Sequence, residues 1–241
     1  MDNGPWTIPA KIKRACLDAL FPIYCLGCEK EGGWLCADCL SAISAKPLFL
    51  CPGCGLASAG GTTHRRCADD TPLAALISPY HYADPPVRRL IKEYKYHGAG
   101  EIEKILCGLT ASGVDKLKTL FPAPAMVVPM PLHASRERLR GFNQAATIGG
   151  VVAERLKLKT ATPLKRRKRT EEQARLDPAE RRENCRRAFA CAPMSGDVIL
   201  VDDVVTSGET LRAAAQALRD AGASRVIAFA LAHGRGDRLK I

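Results

Sequence analysis

The sequence has no apolar run approaching the roughly 18 residues that a membrane-spanning helix needs. Its most apolar stretch near the N-terminus, 15–26, is interrupted by Asp18 and Pro22, so it lacks the core of a signal peptide. We therefore expect a cytoplasmic protein without membrane insertion. Aromatic residues are also scarce, at 5% of the chain. The basic run at 165–169 contains none, which disfavours a base-stacking platform for single strands there.

The composition otherwise matches that of an ordinary soluble protein and excludes a wholly disordered chain. Of 241 residues, 46% are hydrophobic and 25% are charged. This length is sufficient for one large domain or two smaller ones with a buried core. Lysine and arginine number 36 against 25 acidic residues, giving a net charge of +11. Such an excess favours polyanionic partners, namely nucleic acid, phosphorylated metabolites or an anionic membrane surface.

Cysteine is abundant, with 11 residues, and without an export signal this abundance indicates metal ligation rather than disulfides. Two Cys-x-x-Cys pairs stand close together near the N-terminus. Four thiolates from two such pairs complete a tetrahedral Zn²⁺ site. The alternative is a set of buried, reduced cysteines. The first candidate ligand group is Cys25, Cys28, Cys36 and Cys39.

A second ligand group follows, in which Cys51 and Cys54 pair most simply with His64 and Cys67. The zinc would be structural, because four protein ligands leave no open position for catalysis. We expect one or two zinc ions in total. Two alternatives stay open at this point. The four pairs could be cross-braced, first with third and second with fourth, and His64 could be an ordinary surface residue.

The composition changes near residue 72, and we place a domain boundary there. Residues 1–72 would form a small zinc-binding module, and residues 73–241 would form an α/β domain. Apolar runs predict strands at 75–82, 125–128, 198–201 and 226–231. Helical periodicity predicts helices at 86–97, 102–120, 142–156 and 209–221.

The segment 198–211 carries the most informative pattern in the chain. An apolar strand leads into Asp202 and Asp203, and a short loop of hydroxyl residues and glycine then opens a helix. Backbone N–H groups at a helix N-terminus bind phosphate, and adjacent carboxylates can accept hydrogen bonds from ribose hydroxyls. The candidate phosphate-binding residues are Thr206, Ser207, Gly208, Glu209 and Thr210. The alternative is a plain strand–turn–helix capped by Thr206 or Ser207.

This segment resembles the 5-phosphoribosyl-1-pyrophosphate (PRPP) binding motif of type I phosphoribosyltransferases. With the cysteine-rich N-terminus and the segments 94–98, 129–133 and 138–144, the whole chain is similar to the ComF family of competence-associated proteins. Further matching residues are Gln173, Arg182, Asn184 and Phe189. The resemblance implies a type I phosphoribosyltransferase-like α/β fold, with a parallel sheet flanked by helices. It also implies a double zinc ribbon-like module at the N-terminus.

The resemblance further implies a role for each segment. Asp202 and Asp203 would be the catalytic pair that holds the ribose hydroxyls, and residues 206–210 would cradle the 5-phosphate. PRPP would bind together with Mg²⁺. The pyrophosphate loop, with a strained peptide facing the ligand, would comprise Met130, Pro131 and Leu132. Downstream residues that would contact pyrophosphate or DNA are Arg138, Arg140 and Asn143. For the two arginines, the alternative is a solvated helix start.

A solid basic run comprises Lys165, Arg166, Arg167, Lys168 and Arg169. Three interpretations stay open for it. It could belong to a loop that closes over PRPP and excludes water. It could contact DNA phosphates, or it could be a solvated charged surface.

Two functions follow from the resemblance. The first is transfer of a phosphoribosyl group from PRPP to an unknown nitrogen acceptor, with release of pyrophosphate, in a protein of DNA uptake and natural transformation. The alternative is a non-catalytic competence protein that binds DNA or a partner and uses PRPP only as a sensor ligand. Its expected partners are single-stranded DNA and a competence helicase. A weaker third possibility is regulation of transcription by PRPP binding.

Overall fold

The computed structural model describes residues 22–98, 100–166 and 188–234. The chain forms two compact units that divide between Ile43 and Ser44. In the first unit, a bridge pairs Tyr24 with Glu31, and helix α1 follows at Ala37–Ala42. Within the described ranges, no helix is both long enough and apolar enough to cross a membrane.

The division between the units lies ahead of the boundary predicted at residue 72. Backbone hydrogen bonds explain the difference. The N–H of Lys46 donates to the carbonyl of Pro79 at 2.9 Å, and the N–H of Thr63 donates to that of Ala74 at 2.8 Å. These bonds tie residues 44–72 to the edge of the sheet, so the second cysteine group shares a compact unit with the sheet. A separate functional module at 1–72 stays a prediction.

The second unit is built on a parallel sheet. Its described strands are β1 Ala75–Ile77, β2 Tyr80–His81, β3 Met126–Pro129, β4 Lys159–Thr160, β5 Leu164–Arg166, β6 Phe189–Cys191, β7 Asp197–Val205 and β8 Arg225–His233. Six of them form one sheet in the order β1-β8-β7-β3-β4, with β2 also pairing with β8. Every pairing in that sheet is parallel. The other two, β5 and β6, form an antiparallel ribbon.

The core centres on β7 and β8. Val198, Ile199, Leu200 and Val201 are all fully buried. An uninterrupted apolar run of this kind is typical of a parallel strand covered on both faces, where no position faces water.

Helices cover this sheet. They are α2 Pro85–His97, α3 Glu101–Leu117, α4 Ala134–Arg140, α5 Gln144–Leu156 and α6 Glu209–Asp220. Helix α5 packs against β3 and β7, and α6 packs against β7 and β8. Helix α6 does so through a stripe that includes Leu211, Ala214, Ala215 and Leu218, as an amphipathic helix should. The prediction of a parallel sheet flanked by helices is confirmed.

Several elements differ from the sequence-based expectation. The strand expected at 75–82 is divided into β1 and β2, and β4, β5 and β6 were not predicted. Two further differences concern the residues around the cavity. Strand β7 continues to Val205, so Asp202 and Asp203 lie inside the strand rather than after it. Helix α4 was not predicted. Its seven residues bury no side chain, so it has no apolar periodicity from which a helix could be recognised.

Candidate functional site

A cavity of about 300 Å³ lies at the carboxyl ends of β3 and β7. Its walls come from the end of α2, the segment after β3, helices α4 and α5, strand β5 and the loop between β7 and α6. Open α/β sheets bind their ligands at the carboxyl ends of their strands, and the volume of this cavity suits a small molecule.

Two adjacent carboxylates form one wall of the cavity. The backbone N–H of Asp203 donates to Oδ1 of Asp202 at 2.9 Å. The Lys95 ammonium lies 2.7 Å from Oδ2 of Asp203. Burial, together with the neighbouring charge of Asp203, raises the pKa of Asp202 to about 7. The pair therefore offers hydrogen-bonding oxygens whose total charge changes near neutral pH.

The loop that follows β7 opens helix α6 towards the same cavity. Gly208 stands at the helix N-cap with φ +75°, a left-handed conformation that glycine adopts without strain. The cavity wall includes Thr206, Ser207 and Thr210 but not Glu209. Hydroxyls beside the free N–H groups of a twelve-residue helix form an anion site. We call residues 206–210 the phosphate loop.

Four cationic side chains from three elements line the cavity, and we call them the cationic wall: Lys95 on α2, Arg136 and Arg140 on α4, and Arg166 on β5. They outnumber the two aspartates, so the described lining favours an anionic ligand. Arg138, which the sequence suggested together with Arg140, is exposed and is not part of this wall.

Gln144 is a further polar residue of the cavity wall. It is 2% exposed, and its Oε1 accepts a hydrogen bond from Nη1 of Arg140 at 3.2 Å. Its Nε2 is buried without a hydrogen-bond partner among the residues that the structure describes. A buried donor without a partner costs free energy until an acceptor reaches it.

The segment after β3 also lies on the cavity wall, through Met130, Pro131 and Leu132. The N–H of Met130 donates to the carbonyl of Val201 at 2.8 Å. Asn143 holds the segment from the other side, since its Nδ2 donates to the Met130 carbonyl at 3.0 Å. The strained peptide expected here is not found, because these described residues have neither a positive φ nor a cis bond.

The basic run is split by the structure. Arg166 lines the cavity and also lies 5.7 Å from the centre of the Phe189 ring, whereas Lys165 is exposed. The other members, Arg167, Lys168 and Arg169, lie outside the described residues, as do Gln173, Arg182 and Asn184.

The first metal-ligand group lies in the first unit. The Sγ atoms of Cys25, Cys28, Cys36 and Cys39 all lie within 4.8 Å of one another. The Cys28 and Cys36 sulfurs are 3.7 Å apart, close to the roughly 3.8 Å edge of a tetrahedral zinc–thiolate site with bonds of about 2.3 Å. The N–H groups of Gly27 and Cys36 donate to Sγ of Cys25. These residues fit a zinc ion.

The second metal-ligand group lies in the second unit. Its ligand atoms, from Cys51, Cys54, His64 and Cys67, also lie within 4.8 Å of one another. Nδ1 of His64 is 3.3 Å from Sγ of Cys54, and its Nε2 is 3.1 Å from the carbonyl oxygen of Ala57. A carbonyl hydrogen-bonded in this way fixes the orientation of a ligating imidazole. The structure brings the candidate ligands together in the sequential grouping and not in the cross-braced one, and His64 lies within the second group.

Comparison with known proteins places these features in context. Residues 144–241 match the family model of the phosphoribosyl transferase domain. The chain is 28% identical over 228 residues to "Competence protein F" of Haemophilus influenzae, covering 88% of this chain and 97% of that protein.

Two further relatives are similar to this chain over most of its length. "DNA utilization protein YhgH" of Salmonella typhi is 31% identical over 204 residues, which are 82% of this chain and 89% of that protein. "Competence protein ComFC" of Bacillus subtilis is 30% identical over 210 residues, which are 82% of this chain and 83% of that protein. The similarity therefore extends well beyond the residues that match the family model.

Proposed function

The chain belongs to the ComF family, and on that premise we propose that it binds PRPP with Mg²⁺ in the cavity at the carboxyl edge of the sheet. The observation that carries the proposal is the convergence of three features on this cavity: the phosphate loop, the carboxylate pair and the cationic wall. A ribose bearing one monophosphate and one pyrophosphate presents the matching groups in the matching order.

The phosphate loop would receive the 5-phosphate. The N–H groups at the start of α6 point their partial positive charge at this position, and the hydroxyls of Thr206, Ser207 and Thr210 add donors. Asp202 and Asp203 would accept hydrogen bonds from the two ribose hydroxyls. Lys95 keeps the carboxylate of Asp203 oriented through its 2.7 Å contact.

The pyrophosphate would lie against the cationic wall, with Arg136 and Arg140 on α4 and Arg166 on β5. The orphan Nε2 of Gln144 would gain an acceptor there, which offsets the cost of its burial. Mg²⁺ bound with PRPP would neutralise part of the pyrophosphate charge. The carboxylate pair and the cationic wall therefore both fit PRPP bound with Mg²⁺.

We further propose that this site supports phosphoribosyl transfer. A nitrogen nucleophile would form a bond to the anomeric carbon as the bond from that carbon to pyrophosphate breaks. The leaving oxygen takes up the bonding electrons, and the cationic wall stabilises the negative charge that develops on pyrophosphate. The nitrogen loses its proton, and the near-neutral pKa of Asp202 suits this carboxyl to accept it. The acceptor is a nitrogen compound of unassigned structure.

The process we propose is DNA uptake or utilisation in the cytoplasm. The support comes from the names of the relatives, which refer to competence and DNA utilization, and from the net charge of +11. Single-stranded DNA and a helicase of that machinery are the partners we propose. Zinc would be structural at both ligand groups, since each supplies four ligands.

Calorimetric titration of Mg²⁺–PRPP tests the binding site. We expect saturable binding by the wild type and about a hundredfold weaker binding by the double variant Asp202→Asn/Asp203→Asn. Each lost hydrogen bond to a charged group is worth about 1.5–3 kcal/mol, or roughly tenfold or more in affinity. The matched control is Asp197→Asn at the opposite end of the same strand. Equal binding by wild type and double variant would refute the site.

Release of pyrophosphate on addition of candidate nitrogen acceptors tests catalysis separately. Turnover that disappears in the double variant supports transfer. Tight PRPP binding without pyrophosphate release across nucleobases, amines and DNA would instead support the sensor alternative, in which PRPP is a ligand only.

A further inference from the structure

The second metal-ligand group lies beside the phosphate loop. Pro52, between two of the metal ligands, lines one narrow crevice together with Ser207 and Gly208. The remaining lining residues are Leu73, Leu76, Val205, Leu211 and Arg212. The metal-binding segment, residues 51–70, therefore lies next to the phosphate loop through Pro52.

A hydrogen bond and a shared core reinforce this contact. Nη2 of Arg212, in the first turn of α6, donates to the carbonyl oxygen of Asp70 at 3.3 Å. Leu73 follows Asp70 closely and is 2% exposed. It belongs to the same hydrophobic cluster as Val205 and Leu211, which flank the phosphate loop in sequence.

Apart from backbone hydrogen bonds such as that from Thr63 to Ala74, the metal-binding segment has no apolar core of its own. Across the fully described residues 51–70, the buried positions are Cys51, Pro52, Gly61 and Cys67. Its single large aliphatic side chain, Leu56, is 56% exposed. Metal bound by four ligands would supply the cross-link that a segment without an apolar core lacks, and it would help to fix the positions of Pro52 and the Asp70 carbonyl.

We propose that the second metal-ligand group is a positioning element for the phosphate loop. Metal bound by Cys51, Cys54, His64 and Cys67 holds Pro52 and Asp70 against residues 207–212, and this support sets the affinity of the site for the 5-phosphate. Pro52 and Arg212 are positioning residues, since they act on the loop rather than on the ligand. The proposal rests on the proposed PRPP site for its ligand.

Two alanine substitutions in the metal-binding segment test whether it positions the phosphate loop. Pro52→Ala removes the ring that faces the loop, and Leu56→Ala trims an exposed side chain as the matched control. Both keep every metal ligand. We expect both variants to retain the zinc content of the wild type. Pro52→Ala should bind Mg²⁺–PRPP three- to tenfold more weakly, whereas Leu56→Ala should bind as the wild type does.

Substitutions of Arg212 test the hydrogen bond in the same assay. Arg212→Ala should weaken PRPP binding to a similar degree at full zinc content. Arg212→Lys, which can still donate to the Asp70 carbonyl, should restore most of the affinity. Equal losses in the alanine and lysine variants would contradict the role of this bond.

Hydrogen exchange of the ligand-free protein separates this proposal from the proposed function. Amides of residues 206–211 should exchange at least threefold faster in Pro52→Ala and in Arg212→Ala, with β7 and β8 unchanged. Cys54→Ser should lose about one zinc and show the same local acceleration. Cys28→Ser, a ligand of the first group, should lose one zinc without it.

If the wild type does not bind PRPP, the proposed function fails, and the exchange rates still decide the support. Unchanged exchange at 206–211 in both Pro52→Ala and Arg212→Ala would overturn the positioning role. Equal acceleration in Cys28→Ser and Cys54→Ser would overturn its assignment to the second group.

Discussion

Asp202 should make the protein less stable as the pH rises, and replacing it with asparagine should remove that dependence. The pKa of Asp202 rises from an ordinary value of 3.8 to about 7 on folding. The unfolded chain ionises this carboxyl at lower pH than the folded protein does. Ionisation therefore favours the unfolded chain, and stability falls between pH 4 and 7. Below pH 4 the effect vanishes, and above pH 7 it is constant.

The magnitude follows from the size of the pKa change. About three pH units at 1.36 kcal/mol each give a penalty on the order of 4 kcal/mol above pH 7. The asparagine side chain of the Asp202→Asn variant carries no charge and keeps the oxygen that accepts from the Asp203 N–H. The variant should match the wild type near pH 4 and gain stability on the order of 1 kcal/mol per pH unit until the gain levels off near pH 7.

Urea unfolding at pH 5, 6, 7 and 8 measures this gain. Far-UV circular dichroism is the suitable signal for unfolding of the second unit. Tryptophan fluorescence is less suitable, because both tryptophans, Trp6 and Trp34, precede the second unit in the sequence. Asp197→Asn is the control. It breaks an exposed pair with Arg225 and should cost less than about 1 kcal/mol. A gain in Asp202→Asn that is the same at pH 5 and pH 8 would refute the reasoning.

Gln144→Leu should weaken Mg²⁺–PRPP binding in calorimetry, because it removes the buried Nε2 donor that the ligand would pair; unchanged affinity would contradict this. Lys95→Met should cost about 2 kcal/mol at pH 8 in urea unfolding, since it leaves Asp203 unpaired beside Asp202; an unchanged midpoint would contradict it. Leu200→Ala should cost about 2–5 kcal/mol by the same measurement, and a smaller loss would mean that the sheet centre relaxes. A strong chelator should release two zinc ions per chain and lower the melting temperature; full stability at zero zinc would exclude a structural role.

The metal-ligand groups were predictable because their chemistry is local. A Cys-x-x-Cys turn presents two thiolates from one short segment whatever the rest of the chain does. The choice between sequential and cross-braced grouping was not local, since it depends on the path of the chain between the pairs. The same holds for the unit boundary. Nothing in the composition around Ile43 reveals that Lys46 and Thr63 hydrogen-bond to residues beside β1.

The phosphate loop was recognisable for a related reason. Strand, carboxylates, hydroxyls and helix start follow one another within fourteen residues, 198–211, so the chain order reproduces the spatial order. The length of β7 was misjudged, because the two aspartates were taken as its end. Their backbone stays in register with β8, where Asp202 pairs with Ala230, since strand pairing is satisfied by the main chain whatever the side chain carries.

The cationic wall could not be predicted from the sequence. Lys95, Arg136, Arg140 and Arg166 come from distant parts of the sequence, and only the packing of α2, α4 and β5 around the carboxyl edge brings them to one cavity. The basic run at 165–169 was the more conspicuous signal, yet its second residue faces the cavity while its first faces solvent, as alternation along a strand requires. A run of charge in a sequence is therefore not a patch of charge in space. Part of the net positive charge that suggested a DNA-binding surface lies in the cavity. A test of DNA binding should therefore leave Arg166 unchanged and substitute Lys165 first.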